Sequence, residues 1–348
     1  MLSGFLGYVN ILNSSQQKKF QQKLMSWYAN HKEQHPWRVL WEKTQDPYVV
    51  WLSEVMLQQT TIQAVTPAYV RFLNVFPTVQ DLSNASENLV RETVKGLGYY
   101  RRFGFLHKAA QIVVEQKSWP QTYKQWLDLP GVGEYTAAAV SSIVFGERVG
   151  VIDGNVQRVF SRLLNKDIHP LVFFKKNLQI LLNEMIDEEK PGDFNQGLME
   201  LGQKICRPQE PKCHECPVVT LCEGKKAHRQ LEIPTPVKRK AAVAVALQLV
   251  IVRKKHKQGW LYGLKVRENA ERFLKGTRGF LLSENFKPQK DSQIIGSIKH
   301  SITHHKIEAQ VYVQQQSVEE MEWFQVDDLE KKLVSSLDQK AWNLFTKK

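Results

Sequence analysis

A chain of 348 residues has room for two domains, each with its own core. Its hydrophobic share of 42% excludes a disordered chain, and no apolar run approaches the length of a membrane span. The net charge of +13 points to a polyanionic partner, either nucleic acid or an anionic membrane surface. Residues 1–15, MLSGFLGYVNILNSS, lack the basic start and small-residue cleavage site of a signal peptide and read as an extension ahead of the first helix. Thiols without a secretion signal suit a reducing compartment, the cytoplasm or a nucleoid within it.

From Gln16 to about Leu201 the pattern is helical almost throughout. QKKFQQKLMSWYANH is amphipathic, and DPYVVWLSEVMLQQTTI is a strongly apolar helix starting near Pro47. Helical spacing continues through TPAYVRFLNVF, ASENLVRETVKGL, RFGFLHKAAQIVVEQ, QTYKQWLDL, GEYTAAAVSSIVFG, VQRVFSRLL and FFKKNLQILLNEMI. Composition changes at IPTPVKRK, residues 233–240, where two prolines and a basic cluster predict a stiff linker. Beyond it AAVAVALQLVIV reads as a buried strand, and SIKHSIT, KIEAQVYV and EEMEWFQ as shorter strands. Helical spacing returns from Leu329 to the end. The second domain is therefore small and of mixed α/β type.

LPGVGEYTAAAVSSIVFG, from Leu129, is a helix end, a glycine-rich turn and a helix of small residues. Gly131 and Gly133 permit a tight turn and close approach of a ligand, and the N–H groups opening the next helix can face a phosphate. An ordinary helix–helix connection shares this pattern. Glu54 stands among Trp51, Leu52, Val55 and Met56, a setting that favours a neutral carboxylic acid. Asp153 stands beside Gly154 and Asn155 at the start of a helix, where the dipole favours an ionised one. A helix cap and an exposed helical glutamate are the plainer roles for the two.

All four cysteines fall in one run, at Cys206, Cys213, Cys216 and Cys222. The spacing C-x6-C-x2-C-x5-C suits a single metal centre better than disulfide staples, since short overlapping loops constrain little chain entropy. Spacing alone leaves zinc and a cubane iron–sulfur cluster both open.

LPGVGEYTA, then VIDGNVQRV, then the cysteine run, in this order and spacing, resemble the helix-hairpin-helix DNA glycosylases of the endonuclease III superfamily. WLSEVMLQQT, GLGYY and DFNQGLMELG narrow the resemblance to its adenine-excising branch, over roughly residues 20–225. The resemblance implies a mainly helical catalytic domain over residues 16–230 that holds a 4Fe–4S cluster on the four cysteines. Within it, residues 46–150 would form the six-helix-type lobe with the hairpin at 121–145, and residues 16–45 with 151–230 the cluster lobe. A linker, 231–240, and a small Nudix-like α/β domain, 241–348, would follow.

The resemblance further implies a monomer on double-stranded DNA that excises adenine opposite 8-oxoguanine or guanine. Glu54 would act as acid and Asp153 as the stabiliser of an oxocarbenium-like sugar. Relatives that also nick DNA carry a lysine in the hairpin; Tyr135 stands there, which predicts a glycosylase without lyase activity. Glu200 corresponds to a glutamate that contacts the flipped adenine or its water. Trp37 and Arg38 would line the adenine pocket, and Gln59 with the segment Leu97–Tyr99 would fill the gap left by the base.

The chain departs from the family in reading HKEQHPWR, with Lys32 and Glu33 where an arginine is usual, and in an insertion between Arg38 and Pro47. In the C-terminal domain Ile302, Thr303 and His304 fall on the family's F-S-H loop, so Thr303 and His304 would read the 8-oxoguanine edge. Arg-Glu-x-x-Glu-Glu clusters of pyrophosphatases are missing, so no hydrolysis is expected of this domain. Lys204, Arg207, Lys212, Lys225 and Lys226 flank the cysteine run and suggest a phosphate-binding surface beside it.

Overall fold

The computed structural model describes residues 12–167, 172–235, 241–257, 259–268, 271–315 and 320–347. Most of the N-terminal extension, residues 1–11, and the basic half of the linker, 236–240, lie outside the described residues. The described residues fall into two compact units, drawn from Met1–Ser83 with Lys108–Lys238 and from Asn84–His107 with Arg239–Lys348.

Thirteen helices precede the sheet among the described residues. They are α1 (Ser14–His31), α2 (Pro36–Thr44), α3 (Pro47–Leu57), α4 (Ile62–Val75), α5 (Val79–Asn84), α6 (Glu87–Thr93) and α7 (Arg101–Gln116). Then follow α8 (Tyr123–Leu127), α9 (Glu134–Phe145), α10 (Gly154–Leu163), α11 (Val172–Met185), α12 (Pro191–Glu200) and α13 (Glu223–Lys226).

Helix α3 is the centre of the first unit. It starts at Pro47, where a missing N–H costs nothing, behind an Asp46 cap that accepts from Tyr48 N at 3.0 Å. Every residue from Tyr48 to Met56 is buried. A helix apolar on all sides belongs in a core, and α2, α4 and α9 pack around it. Trp51 meets Trp126 of α8 at 5.6 Å between ring centroids. The sequence pattern predicts one helix through Ile62, but α3 stops at Leu57 and α4 begins five residues later, after an exposed Gln59 at φ 56°. Helix α2 continues through the insertion after Arg38, ending at Gln45 in the left-handed region.

Two glycines bring the functional helices close. A Cβ on Gly192 would lie 2.6 Å from Ile143 Cα, so α12 can press against α9 only at glycine. A Cβ on Gly202 would lie 2.6 Å from the Cβ of Asn155, at the start of α10. Helix α12 runs on into a π-helical turn, Leu201–Ile205, whose wider path delivers the chain to Cys206.

The second unit holds a seven-stranded mixed sheet, β1 (Val243–His256), β2 (Gly259–Val266), β3 (Arg278–Gly279), β4 (Leu281–Ser283), β5 (Gln293–Ile302), β6 (His305–Gln314) and β7 (Glu322–Phe324), with helices α14 (Val326–Lys332) and α15 (Ser336–Thr346). The order is β3-β2-β1-β6-β5; β4 also pairs with β1 and β7 with β2. β1 and β6 are parallel, from Val243 opposite His305 to Val252 opposite Gln314; the other pairings are antiparallel. The small α/β domain read from the sequence is present, with β2, β3 and β4 added. Its core sets Leu247, Leu249 and Ile251 of β1 and Ile307, Ala309 and Val311 of β6 with Leu337 and Trp342 of α15.

Arg267 and Asp338 pin this unit together. Both are buried, and the guanidinium meets the carboxylate in two bonds of 2.7 and 3.0 Å while donating to Thr277 Oγ1 and Phe280 O. Asp338→Ala strands the arginine charge and is expected to lower stability by about 3–5 kcal/mol in chemical denaturation. Replacing both partners by Leu and Met should recover most of the loss.

Candidate active site

The sequence between Thr122 and Phe145 folds as a helical hairpin. Thr122 caps α8 in a reciprocal box with Gln125; the turn passes Gly131 at φ 76°; and Gly133 opens α9 with no side-chain cap. Gly131 and Gly133 are exposed, and the space where a Gly133 Cβ would sit is open. The first N–H groups of α9 are thus presented without a capping side chain, the arrangement that receives an anion.

Asp153 takes the corresponding place at α10. Its Oδ1 accepts from Val156 N at 2.7 Å and its Oδ2 from Asn155 Nδ2 at 2.8 Å. It is a helix cap, as its sequence position allows, and it also faces a cavity. The loop before it is fixed by Asn195 of α12, which is fully buried. Its carbonyl accepts from Val151 N at 3.0 Å, and its amide donates to Val149 O and to Ser142 Oγ of α9, both at 2.9 Å. Asn195 was not singled out by sequence reasoning, although it lies inside the DFNQGLMELG motif.

An open cavity of about 1000 Å3 collects most of the sequence-derived candidates. Trp37, Arg38, Glu54, Gln59 and Tyr135 line it with Glu200, and Gly131, Gly133, Asp153 and Asn155 complete it from the two helix N-termini. Glu54 is 6% exposed, and its Oε2 is buried without a hydrogen-bond partner. Burial pushes its carboxyl up to about 7; the Tyr135 hydroxyl and the Arg38 charge pull down, and the Asp153 charge pushes further up. Tyr135 is half-buried, with its hydroxyl 3.0 Å from the Met199 sulfur, and burial beside Glu54 and Asp153 holds its own ionisation well above the usual range. One cavity therefore contains a carboxyl whose ionisation is raised to about 7 and a second carboxyl that accepts from two N–H donors.

Glu200 sits differently from a solvated helix glutamate. It is 4% exposed and clamped between Arg38 and Lys204, the latter at 2.6 Å. Arg38 also donates to Gln196 Oε1 at 2.8 Å. Lys204 reaches Glu33 at 2.8 Å, and Lys32 reaches Glu42 of α2 at 2.8 Å. So the two residues that depart from the family pattern are both tied into ion pairs, one of them within the Glu200 cluster. Lys204, expected on a phosphate-binding surface, is paired here with two carboxylates, Glu200 and Glu33. The signal was its position four residues after Glu200. Arg207, Lys212 and Lys226 likewise have acidic neighbours three residues away, at 3.9, 3.2 and 2.7 Å.

The cysteine run wraps against α10. Arg162, 3% exposed, donates to the carbonyls of Ile233, Arg207 and Pro208 and lies 3.5 Å from Cys206 Sγ; Arg158 donates to Cys206 O at 2.8 Å and to Asn155 Oδ1 at 2.7 Å. Burial pushes the Cys216 thiol up to about 12, with contributions from Cys206, Cys222 and Cys213. The four sulfurs thus share one electrostatic neighbourhood. Among the described residues no three His, Cys, Asp or Glu side chains are grouped to hold one metal ion.

In the second unit Leu97 is buried between two glycines, Gly96 at φ 92° and Gly98 at φ 69°, while Tyr99, the next residue, is 51% exposed at φ 48°. Tyr100 is the structural member of the pair, its hydroxyl donating to Val334 O at 2.9 Å. Thr303 and His304 form the two-residue turn joining β5 to β6, with Thr303 at φ 54° and its hydroxyl donating to Ile302 O at 2.7 Å. His304 packs on His305 at 4.1 Å between centroids. No helix of the described residues is long and apolar enough to cross a membrane.

Residues 52–170 match the family model of the HhH-GPD superfamily base excision DNA repair proteins, the stretch that carries Glu54, the hairpin and Asp153. A solved thermostable thymine-DNA glycosylase is 30% identical, with a TM-score of 0.56, covering 62% of this chain and 100% of that one. The adenine DNA glycosylase of Buchnera aphidicola subsp. Schizaphis graminum (strain Sg) is 32% identical over 248 residues, 70% of each chain. The human adenine DNA glycosylase is 41% identical over 222 residues, 62% of this chain, a match that spans 41% of the human protein's length. The fold is that of the helix-hairpin-helix superfamily of base excision DNA repair proteins. Within that class, the chain belongs to the adenine DNA glycosylase family.

Proposed function

We propose that this chain is a monofunctional DNA glycosylase that flips adenine out of a duplex, opposite 8-oxoguanine or guanine, and hydrolyses its bond to deoxyribose. The observation that carries this reading is the pairing of Glu54 and Asp153 across one cavity with opposite surroundings. Glu54 protonates the departing base; the base–sugar bond breaks with its electrons going to the base; Asp153 faces the positive sugar, to which water adds, its released proton restoring the Glu54 carboxyl. Tyr135 holds Glu54 and occupies the position a Schiff-base lysine would need. Arg38, Glu200 and Trp37 form the wall for the adenine edge and face. Gln59 of the first unit and Leu97 and Tyr99 of the second are assigned to the gap left by the base; Gln59 and Tyr99 are exposed and in left-handed backbone.

Thr303 and His304 are assigned to the opposite base, in a Nudix-like domain that reads damage without hydrolysis. The protein is taken to act as a monomer in the cytoplasm or nucleoid.

Four thiols in one neighbourhood are a soft donor set, suited to a 4Fe–4S cluster on Cys206, Cys213, Cys216 and Cys222. A tetrahedral zinc would draw its sulfurs to within roughly 4 Å of one another, given Zn–S bonds near 2.3 Å; a cubane spreads them wider. The cluster would order the loop that Arg158 and Arg162 bind. Cys213→Ser is expected to lower iron per protein and remove absorbance in the visible blue, measured on the purified protein.

Incubation with a duplex containing adenine opposite 8-oxoguanine tests the activity. Strand cleavage only after alkali is the expected result. Cleavage without alkali would make the protein a lyase, and no cleavage at all would leave a DNA-binding module.

A further inference from the structure

Strands β1 and β2 run on past the rest of their sheet. β1 leaves β6 at Val252, opposite Gln314, and β7 reaches along β2 no further than Tyr262. Beyond those points, among the described residues, Arg253–His256 pairs with β2 alone, ending at His256 opposite Gly259. This is a projecting two-stranded ribbon, and its sequence is Arg253-Lys254-Lys255-His256-Lys257. Residues 254–257 are exposed.

The ribbon differs from Arg207, Lys212 and Lys226 beside the cysteine run, each of which has a carboxylate partner three residues away. Arg253, Lys254, Lys255 and Lys257 form no ion pair among the described residues. Two of these cations are nonetheless held in place. The Arg253 guanidinium lies 4.3 Å from the Trp260 ring centroid, and the Lys254 ammonium 3.9 Å from that of Trp323. An aromatic face fixes a cation without cancelling its charge, so less side-chain freedom is lost when an anion arrives. Strand alternation puts Arg253 and Lys255 on one face and Lys254 on the other. No large hydrophobic side chain is exposed on the described part of the ribbon, so it has no apolar anchor for a protein partner or a bilayer.

Position along the sheet gives the geometry. Val243, at the other end of β1, pairs with His305, the residue after the Thr303–His304 turn. From Val243 to Arg253 the strand advances about 33 Å at 3.3 Å per residue. One turn of B-DNA is about 34 Å.

We propose that the ribbon is a second duplex contact, which holds backbone phosphates about one helical turn away from the place where the Thr303–His304 turn meets the DNA. The inference rests on the reading of this chain as a DNA glycosylase. It adds a contact that bears on affinity and placement, not on the chemistry at Glu54.

The test replaces Lys254, Lys255 and Lys257 together by glutamine in the full chain. Binding is measured by fluorescence anisotropy against salt, on a duplex with a central adenine–8-oxoguanine pair and either long flanks (~15 base pairs) or short ones (~5 base pairs), and on a lesion-free duplex as long. Each lost phosphate contact reduces the slope of log K against log salt by about 0.9. The expected result is a slope smaller by about 2–3 on both long duplexes, no difference from the unmodified protein on the short one, and an unchanged single-turnover excision rate at saturating enzyme. An unchanged slope on long duplexes, with an unchanged thermal midpoint, overturns the proposal and leaves the glycosylase reading intact. An equal loss on short and long duplexes overturns the one-turn placement. If the unmodified chain binds no duplex at all, the glycosylase reading falls and the ribbon contact with it.

Discussion

Glu54→Gln is expected to slow adenine release by about 10²–10⁴-fold while leaving affinity for the mispaired duplex within about threefold. Glutamine keeps the size and the hydrogen-bonding contact toward Tyr135 but has no proton to give. The effect should be large because the surroundings already do what an acid needs. The carboxyl is buried, its Oε2 has no protein partner, and its ionisation is raised to about 7. Excision by the unmodified protein should therefore fall as pH rises through about 7, and this limb should vanish in the variant.

Stability supplies an independent check. The folded protein keeps a proton on Glu54 that the unfolded chain releases from about pH 4.5, so this group's contribution to stability declines as pH rises from there to about 7 and then stays low. Thermal midpoints of the variant, relative to the unmodified protein, should rise between pH 5 and pH 8. A flat difference would mean that Glu54 is not neutral in the folded protein. Normal turnover by Glu54→Gln would sink the acid role whatever the midpoints do.

Much of this site is legible in the sequence because it is built from local signals. Pro47 after Asp46 starts α3, Asp153 caps α10, and the glycines of the hairpin mark the turn before α9. The apolar neighbours of Glu54 predict burial, since a helix with no polar side has nowhere to expose one. What was not legible depends on partners far away in sequence. Nothing local says that Asn195 will hold Val151, or that Arg38 will meet Glu200 across 162 positions. The basic residues beside the cysteines show the same limit. Their sum suggests a phosphate surface, yet Arg207, Lys212 and Lys226 each face a carboxylate three residues away, which a count of charges does not register. In the second domain β2 escaped notice because GWLYGLKV carries two glycines, which weaken a strand, and has no clean alternation; it becomes a strand by pairing with β1 on one side and β7 on the other.

Asp153→Asn separates the two things this residue does. Asparagine caps helices about as well as aspartate and can still accept from Val156 N, so the thermal midpoint should move little. The negative charge facing the cavity disappears, and with it the stabilisation of a positive sugar; excision should fall by about 10²–10³-fold. Asp153→Ala should lose the same rate and in addition about 1 kcal/mol of stability, the worth of the cap. Full activity in Asp153→Asn would reduce the residue to a cap. The residual activity carries a further mark. Asp153 helps to raise the ionisation of Glu54, so its neutralisation should move the falling limb of the pH profile below 7. A cap with no charge in the cavity would leave that limb where it was, so the shift, unlike the loss of rate, arises only if both carboxylates face one substrate space.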